Sequence, residues 1–194
     1  MSKWQPDTRK FLTASEMDRL KDVVKRKTET GSKVWETAHT FIRLALETGL
    51  RVSEMCNLQV KDIYLDGNSF LRVVKGKGGK ARNVILPKSL KDHLQAYIQE
   101  RGLKPEDNLL ISSHRKPFTR YGLSYLWNKC CKLAGLPQTG VHSSRHSYAS
   151  YLQQSTSDLK LVQKQLGHSN ISITSVYLDL TQEQISSKLD AVFS

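Results

Sequence analysis

The sequence predicts an α+β fold that is mainly α-helical and carries one small three-stranded antiparallel sheet. Along most of the 194 residues, apolar side chains recur every three or four positions, which is typical of amphipathic helices. Between residues 63 and 86 the pattern changes to short runs of β-branched and aromatic residues separated by glycine-containing turns. A hydrophobic content of 38% with 25% charged residues is ordinary for a globular protein, and the length fits one compact domain.

Three helices are predicted before the sheet. Residues 13–16 (Thr-Ala-Ser-Glu) have the spacing of a capping box and start the first helix. Apolar positions between 35 and 46 form one face of a second helix, which Gly49 ends. A short third helix is expected around residues 54–58, with Ser53 as its candidate cap.

Three strands are predicted over residues 63–65, 70–74 and 82–86, because these segments are rich in β-branched and aromatic side chains. The segments between them, residues 66–68 (Asp-Gly-Asn) and 76–79 (Gly-Lys-Gly-Gly), have the composition of turns. The three strands therefore form an antiparallel meander, and its second turn carries lysines.

The remainder of the chain is predicted to be helical. The expected helices cover residues 90–100, 121–133, 144–153, 159–166 and 171–177. Gly102 and Gly135 end the first two of them. A last helix follows Thr181, where the spacing of a capping box recurs. We therefore divide the chain into a polar arm (1–12), one domain (13–180) and a C-terminal helix (181–194).

The chain is strongly basic, with 30 Lys and Arg against 18 Asp and Glu and a formal net charge of +12. Such a charge concentrates polyanions at the surface, which favours a nucleic-acid partner. Residues 72–82 hold five cations and no acid. Four of these cations are candidate DNA contacts: Arg72, Lys75, Lys80 and Arg82.

The composition also predicts a reduced, cytoplasmic protein without a membrane partner. The first residues contain no apolar core of the kind that a signal peptide has. The longest apolar runs are only a few residues, against the roughly 20 that a membrane helix needs. Three cysteines are an odd number, and the adjacent Cys130 and Cys131 form a poor disulfide pair.

No metal and no other cofactor is predicted. The chain has no Gly-x-x-x-x-Gly-Lys-Ser/Thr phosphate loop, which argues against ATP, and the glycines at 76–79 lie between strands instead of before a helix. His142, His146 and His168 lack a surrounding set of Cys, His and Glu with zinc spacing. Acidic residues are scattered, so a zinc- or magnesium-dependent nuclease has no obvious ligands.

The remaining candidates are arginine, lysine, histidine and tyrosine, and together they suit phosphodiester chemistry. Two guanidiniums can clamp a phosphodiester and stabilise the charge of its transition state. A tyrosine hydroxyl can attack phosphorus and form a covalent intermediate. A lysine or a histidine can protonate the leaving 5′-oxygen. Each such residue taken alone is more often a surface or packing residue, so the prediction depends on the combination.

Four motifs, in their order along the chain, resemble those of the tyrosine recombinase (phage integrase) family. They are Thr48-Gly-Leu-Arg51-Val-Ser-Glu54, Gly76-Lys77-Gly-Gly-Lys80-Ala-Arg82, His142-Ser-Ser-Arg145-His146, and Leu166-Gly-His168-Ser-Asn170 continuing to Tyr177. The resemblance covers residues 11–177 and implies the fold of the family's catalytic domain.

The resemblance implies the chemical role of four residues. Tyr177 would be the nucleophile that forms a 3′-phosphotyrosyl bond, and Arg51 and Arg145 would bind the scissile phosphate. Lys77 would be the general acid for the departing 5′-hydroxyl. The implied activity is site-specific cleavage and rejoining of double-stranded DNA, independent of metal and ATP.

Three further residues would support this chemistry. His142 and His168 would assist proton transfer and phosphate binding, and Glu54 would orient the arginine side of the pocket. The family often has an apolar residue just before the second arginine, where this chain has Ser144. That position serves packing, so the departure leaves the implied catalysis unaffected.

The resemblance also predicts how the protein assembles. By its periodicity alone, the apolar stripe of residues 185–193 is as consistent with packing on its own domain as with exchange. Family members often dock the segment after the nucleophile into a neighbouring protomer, so the resemblance favours exchange of residues 181–194 within a tetramer on DNA. Accessory DNA-bending proteins are further expected partners, and the DNA-bound protein would be nucleoid-associated. Most members carry a separate helical core-binding domain, and about thirty residues before the second helix are too few for it. We therefore expect either a short form of the family or a catalytic fragment.

Two alternative functions stay open. A type IB topoisomerase shares the set of Arg, Lys, His and Tyr, and DNA relaxation without recombination between two sites would identify it. A non-catalytic DNA-binding relic of a recombinase would use the basic face alone. The intact set argues against the relic, since a relic has no physical reason to keep Tyr177 and both arginines.

Overall fold

The two long N-terminal helices form where the sequence predicts them. In the computed structural model, which describes residues 11–74, 81–167 and 182–193 (for 182–184 the backbone alone), α1 spans Ala14–Thr28 and α2 spans Lys33–Thr48. The predicted capping box is present, because the Thr13 hydroxyl accepts the Glu16 N–H and the Glu16 carboxylate accepts the Thr13 N–H. Gly49 ends α2 in the left-handed conformation, with φ at 62°.

The third helix, α3, spans Val52–Asn57, and its N-cap is Arg51. The prediction that Ser53 caps this helix is therefore wrong, since Ser53 is already its second residue. Gly49 is the C-cap of α2, and Arg51, the N-cap of α3, follows two residues later. Glu54 takes over the capping role, because its carboxylate accepts the backbone N–H of Arg51 at 2.8 Å.

A one-turn 3₁₀ helix, Val60–Asp62, leads into the sheet. The strands β1 (Ile63–Tyr64), β2 (Phe70–Val73) and β3 (Arg82–Ile85) form the predicted antiparallel meander in the order β1-β2-β3. Between β2 and β3, the pair Leu71 and Val84 is buried, and the next pair, Arg72 and Asn83, is exposed. On one face of the sheet Leu71 and Val84 therefore point toward the core, and on the other face Arg72 and Asn83 are exposed while Ile85, the partner of Phe70, is buried.

Five further helices lie in the described part of the chain. They are α4 (Lys88–Arg101), α5 (Arg120–Leu133), α6 (His142–Thr156), α7 (Leu159–Leu166) and α8 (Gln182–Phe193). The helix α6 begins two residues before its predicted start, so His142 is its first residue. The predicted helix at 171–177 and the predicted cap at Thr181 lie outside the described residues.

The main hydrophobic core surrounds α2. Phe41 on α2 and Trp127 on α5 are completely buried and meet edge to face, with ring centroids 6.4 Å apart. Cys130 and Cys131 are buried in this core as free thiols. Among the described helices, none has the length and apolar character that crossing a bilayer requires.

A second hydrophobic cluster joins α6, α7 and α8 to β3. Tyr148 and Leu152 on α6 pack there with Ile185 and Leu189 on α8. The end of α8 is also tied to α6, because the Tyr151 hydroxyl donates to the carbonyl of Val192. In this structure α8 therefore lies against its own chain.

Candidate active site

Arg51 lies between two helices, where the chain passes from α2 into α3. The left-handed turn at Gly49 sets the direction of this short connection. The Arg51 side chain is about a quarter exposed, and its Nη1 donates to Glu54 Oε1 at 2.9 Å. The guanidinium is therefore fixed at one edge and remains accessible from solvent.

Glu54 is the carboxylate at the centre of the site. Besides the two hydrogen bonds from Arg51, it accepts two from Arg82, with Nη1 to Oε1 at 2.8 Å and Nη2 to Oε2 at 2.9 Å. Burial alone would raise the pKa of Glu54, but the hydrogen bonds from Arg82 and Arg51 outweigh burial and lower the pKa to about 2. Glu54 is thus ionised at every physiological pH.

Arg145 reaches the site from the first turn of α6. Its Nη1 donates to the carbonyl of Gly49 at 2.7 Å, and its Nη2 donates to the carbonyl of Leu166 at 2.8 Å. These two carbonyls lie at the C-terminal ends of α2 and α7, where helix dipoles favour a positive charge. The guanidinium therefore holds together the ends of two helices that carry separate motifs.

The arginines act on one another electrostatically. Burial, followed by repulsion from Arg51 and Arg82, lowers the pKa of Arg145 to about 10. Arg145 is still charged at neutral pH, so three guanidiniums and one carboxylate share this region. Such a cluster suits an anion, because guanidinium groups bind phosphate oxygens through charge-assisted hydrogen bonds.

The other predicted site residues divide into two groups. His142 is exposed one turn before Arg145 on α6, and Arg72 is exposed on β2. Ser144 is buried, as a packing position requires, and its hydroxyl donates to the carbonyl of Val141. The remaining predicted residues lie outside the described residues: Lys75, Lys77, Lys80, His168 and Tyr177.

Two clefts flank the Glu54 cluster. One, of about 660 Å³, lies between the sheet and the helices α7 and α8 and is lined by Arg72, Arg82 and Lys164. The other, of about 450 Å³, is lined by Ser53, Glu54 and Arg72. Each therefore presents basic side chains next to Glu54 or to its partner Arg82.

Sequence reasoning missed the place of Arg82. It was predicted as a DNA contact, whereas the structure places its guanidinium on Glu54 with the side chain only 12% exposed. The alternation of β3 contains a signal for this inward position, since Arg82 and the buried Val84 are two residues apart and share a face. The identity of its partner, 28 residues away, depends on tertiary structure.

The structure adds a packing requirement at the two glycines that border the site, Gly49 and Gly167. A Cβ on Gly49 would lie 2.5 Å from the Tyr148 ring, and a Cβ on Gly167 would lie 2.3 Å from Cδ of Arg82. Both glycines also have positive φ. They are therefore required by close packing as well as by backbone conformation.

The fold and this arginine-lined site together define a tyrosine recombinase catalytic domain. Residues 10–184 match the sequence pattern of the Phage integrase family, and the chain belongs to that family. It is 34% identical over 179 residues to tyrosine recombinase XerA of Thermococcus kodakarensis, which covers 91% of this chain and 60% of the relative. It is 35% identical over 182 residues to tyrosine recombinase XerD of Oceanobacillus iheyensis, covering 90% of this chain and 59% of the relative. The chain thus spans about three fifths of these relatives.

Solved structures agree with this assignment. The structure of XerA recombinase superposes with a TM-score of 0.71 at 26% identity, covering 91% of this chain and 62% of that chain. XerH site-specific recombinase bound to its palindromic difH substrate, in a post-cleavage complex, superposes with a TM-score of 0.70 at 31% identity. That match covers 82% of this chain and 46% of that chain.

Proposed function

We propose that this chain is the catalytic part of a site-specific recombinase that cleaves and rejoins double-stranded DNA through a 3′-phosphotyrosyl intermediate. The observation that supports this most is the joining of Arg51 and Arg145, 94 positions apart in sequence, around Glu54 and the C-terminal ends of α2 and α7. In a chain of the Phage integrase family, this is a site for a scissile phosphate.

In the proposed reaction, the Tyr177 hydroxyl oxygen attacks phosphorus and the bond to the 5′-oxygen breaks. The tyrosine loses its proton, with the help of His142 or His168, and Lys77 donates a proton to the leaving 5′-oxygen. Arg51 and Arg145 stabilise the negative charge that develops on the phosphoryl oxygens. Attack by a 5′-hydroxyl of another strand releases the tyrosine, so the number of phosphodiester bonds is conserved and no ATP is needed.

The DNA would be held by the exposed cations around this pocket. Arg72 on β2 is exposed, and Lys75 and Lys80 lie in the same basic segment of the sequence, residues 72–82. XerH was captured with its difH substrate, which supports a duplex partner for this related chain. A DNA substrate also places the working protein on the nucleoid.

Recombination between two sites requires several protomers. We propose a tetramer on DNA in which α8 is exchanged between neighbours, with DNA-bending proteins as accessory factors. In the structure α8 covers Tyr148 on its own chain, so exchange requires α8 to be released from that position first.

Covalent capture from a random DNA pool tests the proposed function without knowledge of the target site. The pool consists of duplexes with randomised arms and a nick beside the central positions, so that the short cleaved strand diffuses away and the adduct persists. Wild-type protein should retain a subset of sequences through denaturing washes. Tyr177→Phe keeps the ring but lacks the nucleophile, so it should capture none while still binding DNA. Equal capture by both proteins would remove Tyr177 from the mechanism, and no capture by wild type would contradict the proposed function.

A further inference from the structure

Arg82 is the last residue of the basic segment 72–82 and the first residue of β3. It pairs with Val73 across the sheet, and both side chains lie on the face that packs toward the interior. The neighbouring pair on the opposite face, Arg72 with Asn83, is exposed. Two arginines in the same hairpin therefore have opposite environments.

The guanidinium of Arg82 is committed to Glu54. Both of its Nη groups bind the carboxylate, one to each oxygen, at 2.8 and 2.9 Å. Among the described residues, its buried Nε has no hydrogen-bond partner, so the bond pair to Glu54 accounts for the hydrogen bonds of this guanidinium there. A planar fork can make this contact, whereas a lysine ammonium cannot.

The same carboxylate positions Arg51. Oε1 of Glu54 accepts Nη1 of both Arg82 and Arg51, while Oε2 accepts the Arg51 backbone N–H and Nη2 of Arg82. A rotation of the Glu54 carboxylate would therefore move the one guanidinium nitrogen of Arg51 that is hydrogen-bonded within the described residues. Arg82 opposes that rotation because it donates hydrogen bonds to both oxygens of Glu54.

Arg82 also contacts the end of α7. A Cβ on Gly167 would lie 2.3 Å from Cδ and 2.9 Å from Nε of Arg82, so the arginine stem occupies the space that a side chain would need. Gln165 connects α7 to β3 nearby, since its Oε1 accepts the Ile85 N–H at 3.1 Å. Arg82, the first residue of β3, thus binds Glu54 of one motif and packs against Gly167 of another.

We infer that Arg82 is a positioning residue, which acts through Glu54 to hold Arg51 for the scissile phosphate, and that it does not itself contact DNA. This inference rests on the proposed function and replaces the earlier interpretation of Arg82 as a phosphate contact. A positioning residue and a phosphate contact have different consequences. Loss of the first slows cleavage of bound DNA, whereas loss of the second weakens DNA binding and reduces its salt dependence.

The test compares Arg82→Lys with Arg19→Lys on a nicked duplex captured by the wild-type protein. Both variants keep the positive charge, and Arg19 is the matched control because it is exposed on α1 and has no role in the proposed site. At saturating protein, Arg82→Lys should form the covalent adduct about 100-fold more slowly, since displacements near 1 Å cost that much. Its DNA dissociation constant should stay within about threefold of wild type, and Arg19→Lys should leave the adduct rate unchanged.

A double-mutant cycle separates positioning from general structural damage. In an Arg51→Lys background, where the positioned group is already altered, Arg82→Lys should slow adduct formation by less than about threefold. Equal slowing in both backgrounds would overturn the inference, as would an Arg82→Lys protein that binds DNA weakly but cleaves bound DNA at the wild-type rate. If Arg82→Lys unfolds at a lower temperature than wild type, Arg82→Met provides a packed, uncharged variant for the same cycle.

A crystal structure of Arg82→Lys gives a result that does not depend on activity. We expect the Arg51 Nη1 to Glu54 Oε1 distance, 2.9 Å in the wild type, to exceed hydrogen-bonding range. An unchanged Arg51 and Glu54 geometry in that crystal would overturn the inference. Absence of any adduct with the wild-type protein would instead contradict the proposed function.

Discussion

Gly49 combines three tasks at a single residue. It ends α2 with φ at 62°, its carbonyl accepts Nη1 of Arg145, and its missing side chain leaves room for Tyr148 and Leu166. The sequence predicts the first task, because a glycine after an apolar helical stripe is typical of a helix end. The other two depend on α6 and α7, which are remote in sequence, and so could not be predicted.

We expect Gly49→Ala to lower the free energy of unfolding by about 2–4 kcal/mol, because left-handed strain of ~1–2 kcal/mol adds to overpacking against Tyr148. Gly31→Ala is the matched control, since Gly31 has φ at 69° with nothing within 4 Å of the added Cβ. It should cost only the strain, about 1–2 kcal/mol. Urea unfolding of both variants measures the difference, and equal losses would show that the contact with Tyr148 is not limiting.

At the level of elements, the order and type of the described helices and strands follow the sequence closely. The amphipathic stripes of α2 and α7 are regular, and their predicted ends coincide with left-handed glycines, Gly49 and Gly167. The start of α3 was misplaced because a serine in the first turn of a helix resembles an N-cap in sequence. The N-cap is Arg51, whose backbone N–H donates to the Glu54 carboxylate. Capping depends on where the preceding helix ends, which the pattern of α3 alone does not contain.

The interface between α2 and α4 holds a pair of histidines that sequence reasoning did not single out. The rings of His39 and His93 meet edge to face at 4.8 Å, and Thr40 hydrogen-bonds to His93. Burial, followed by the charge of Arg43, lowers the pKa of His39 to about 4. Burial, followed by the charge of His39, lowers the pKa of His93 to about 3.

These depressed pKa values predict a loss of stability on acidification. Above pH 6.5 both histidines are neutral in either state, so the folded protein carries no penalty. As the pH falls below 6.5, His39 and His93 bind protons in the unfolded chain but stay neutral in the folded chain. Between pH 7.5 and 5, each histidine should reduce the free energy of unfolding by about 2 kcal/mol. Denaturant unfolding at both pH values measures the loss, which His93→Gln should roughly halve. A His93→Gln protein with the wild-type pH dependence would exclude His93 as a cause.

The C-terminal helix offers a second prediction at this level. Ile185 and Leu189 are buried against α6 and its neighbours on the same chain, so free protein should be monomeric. Deleting residues 183–194 should leave binding to a single DNA site largely intact, because the candidate phosphate-binding arginines lie on other elements. It should impair the joining of two sites if α8 is exchanged on DNA. Sedimentation and two-site recombination assays measure these effects, and full recombination by the truncated protein would show that α8 only covers its own core.

The whole molecule combines a net charge of +12 with a candidate phosphate site built on Arg51 and Arg145. In the proposed mechanism these arginines supply the positive charge that metal ions supply in other nucleases. Cleavage of the captured duplex should therefore continue in excess EDTA. Loss of cleavage that magnesium restores would contradict the proposed mechanism. DNA binding should weaken steeply as salt rises, so the assay needs a fixed ionic strength and a check of DNA binding in each buffer.

The arginine cluster has a consequence for the protein at rest. Arg51, Arg82 and Arg145 lie around the single carboxylate of Glu54 and repel one another, and an anion that enters the cleft beside Glu54 would reduce this repulsion. Any small dianion that enters the cleft should then act as a folding ligand. At matched ionic strength, replacing chloride with sulfate should raise the melting temperature of the wild type more than that of Arg51→Gln. The general effect of sulfate on burial appears in both proteins, so the difference reports the cleft. Repulsion among the arginines would thus lower the stability of the DNA-free protein, and binding of the DNA phosphate would restore that stability.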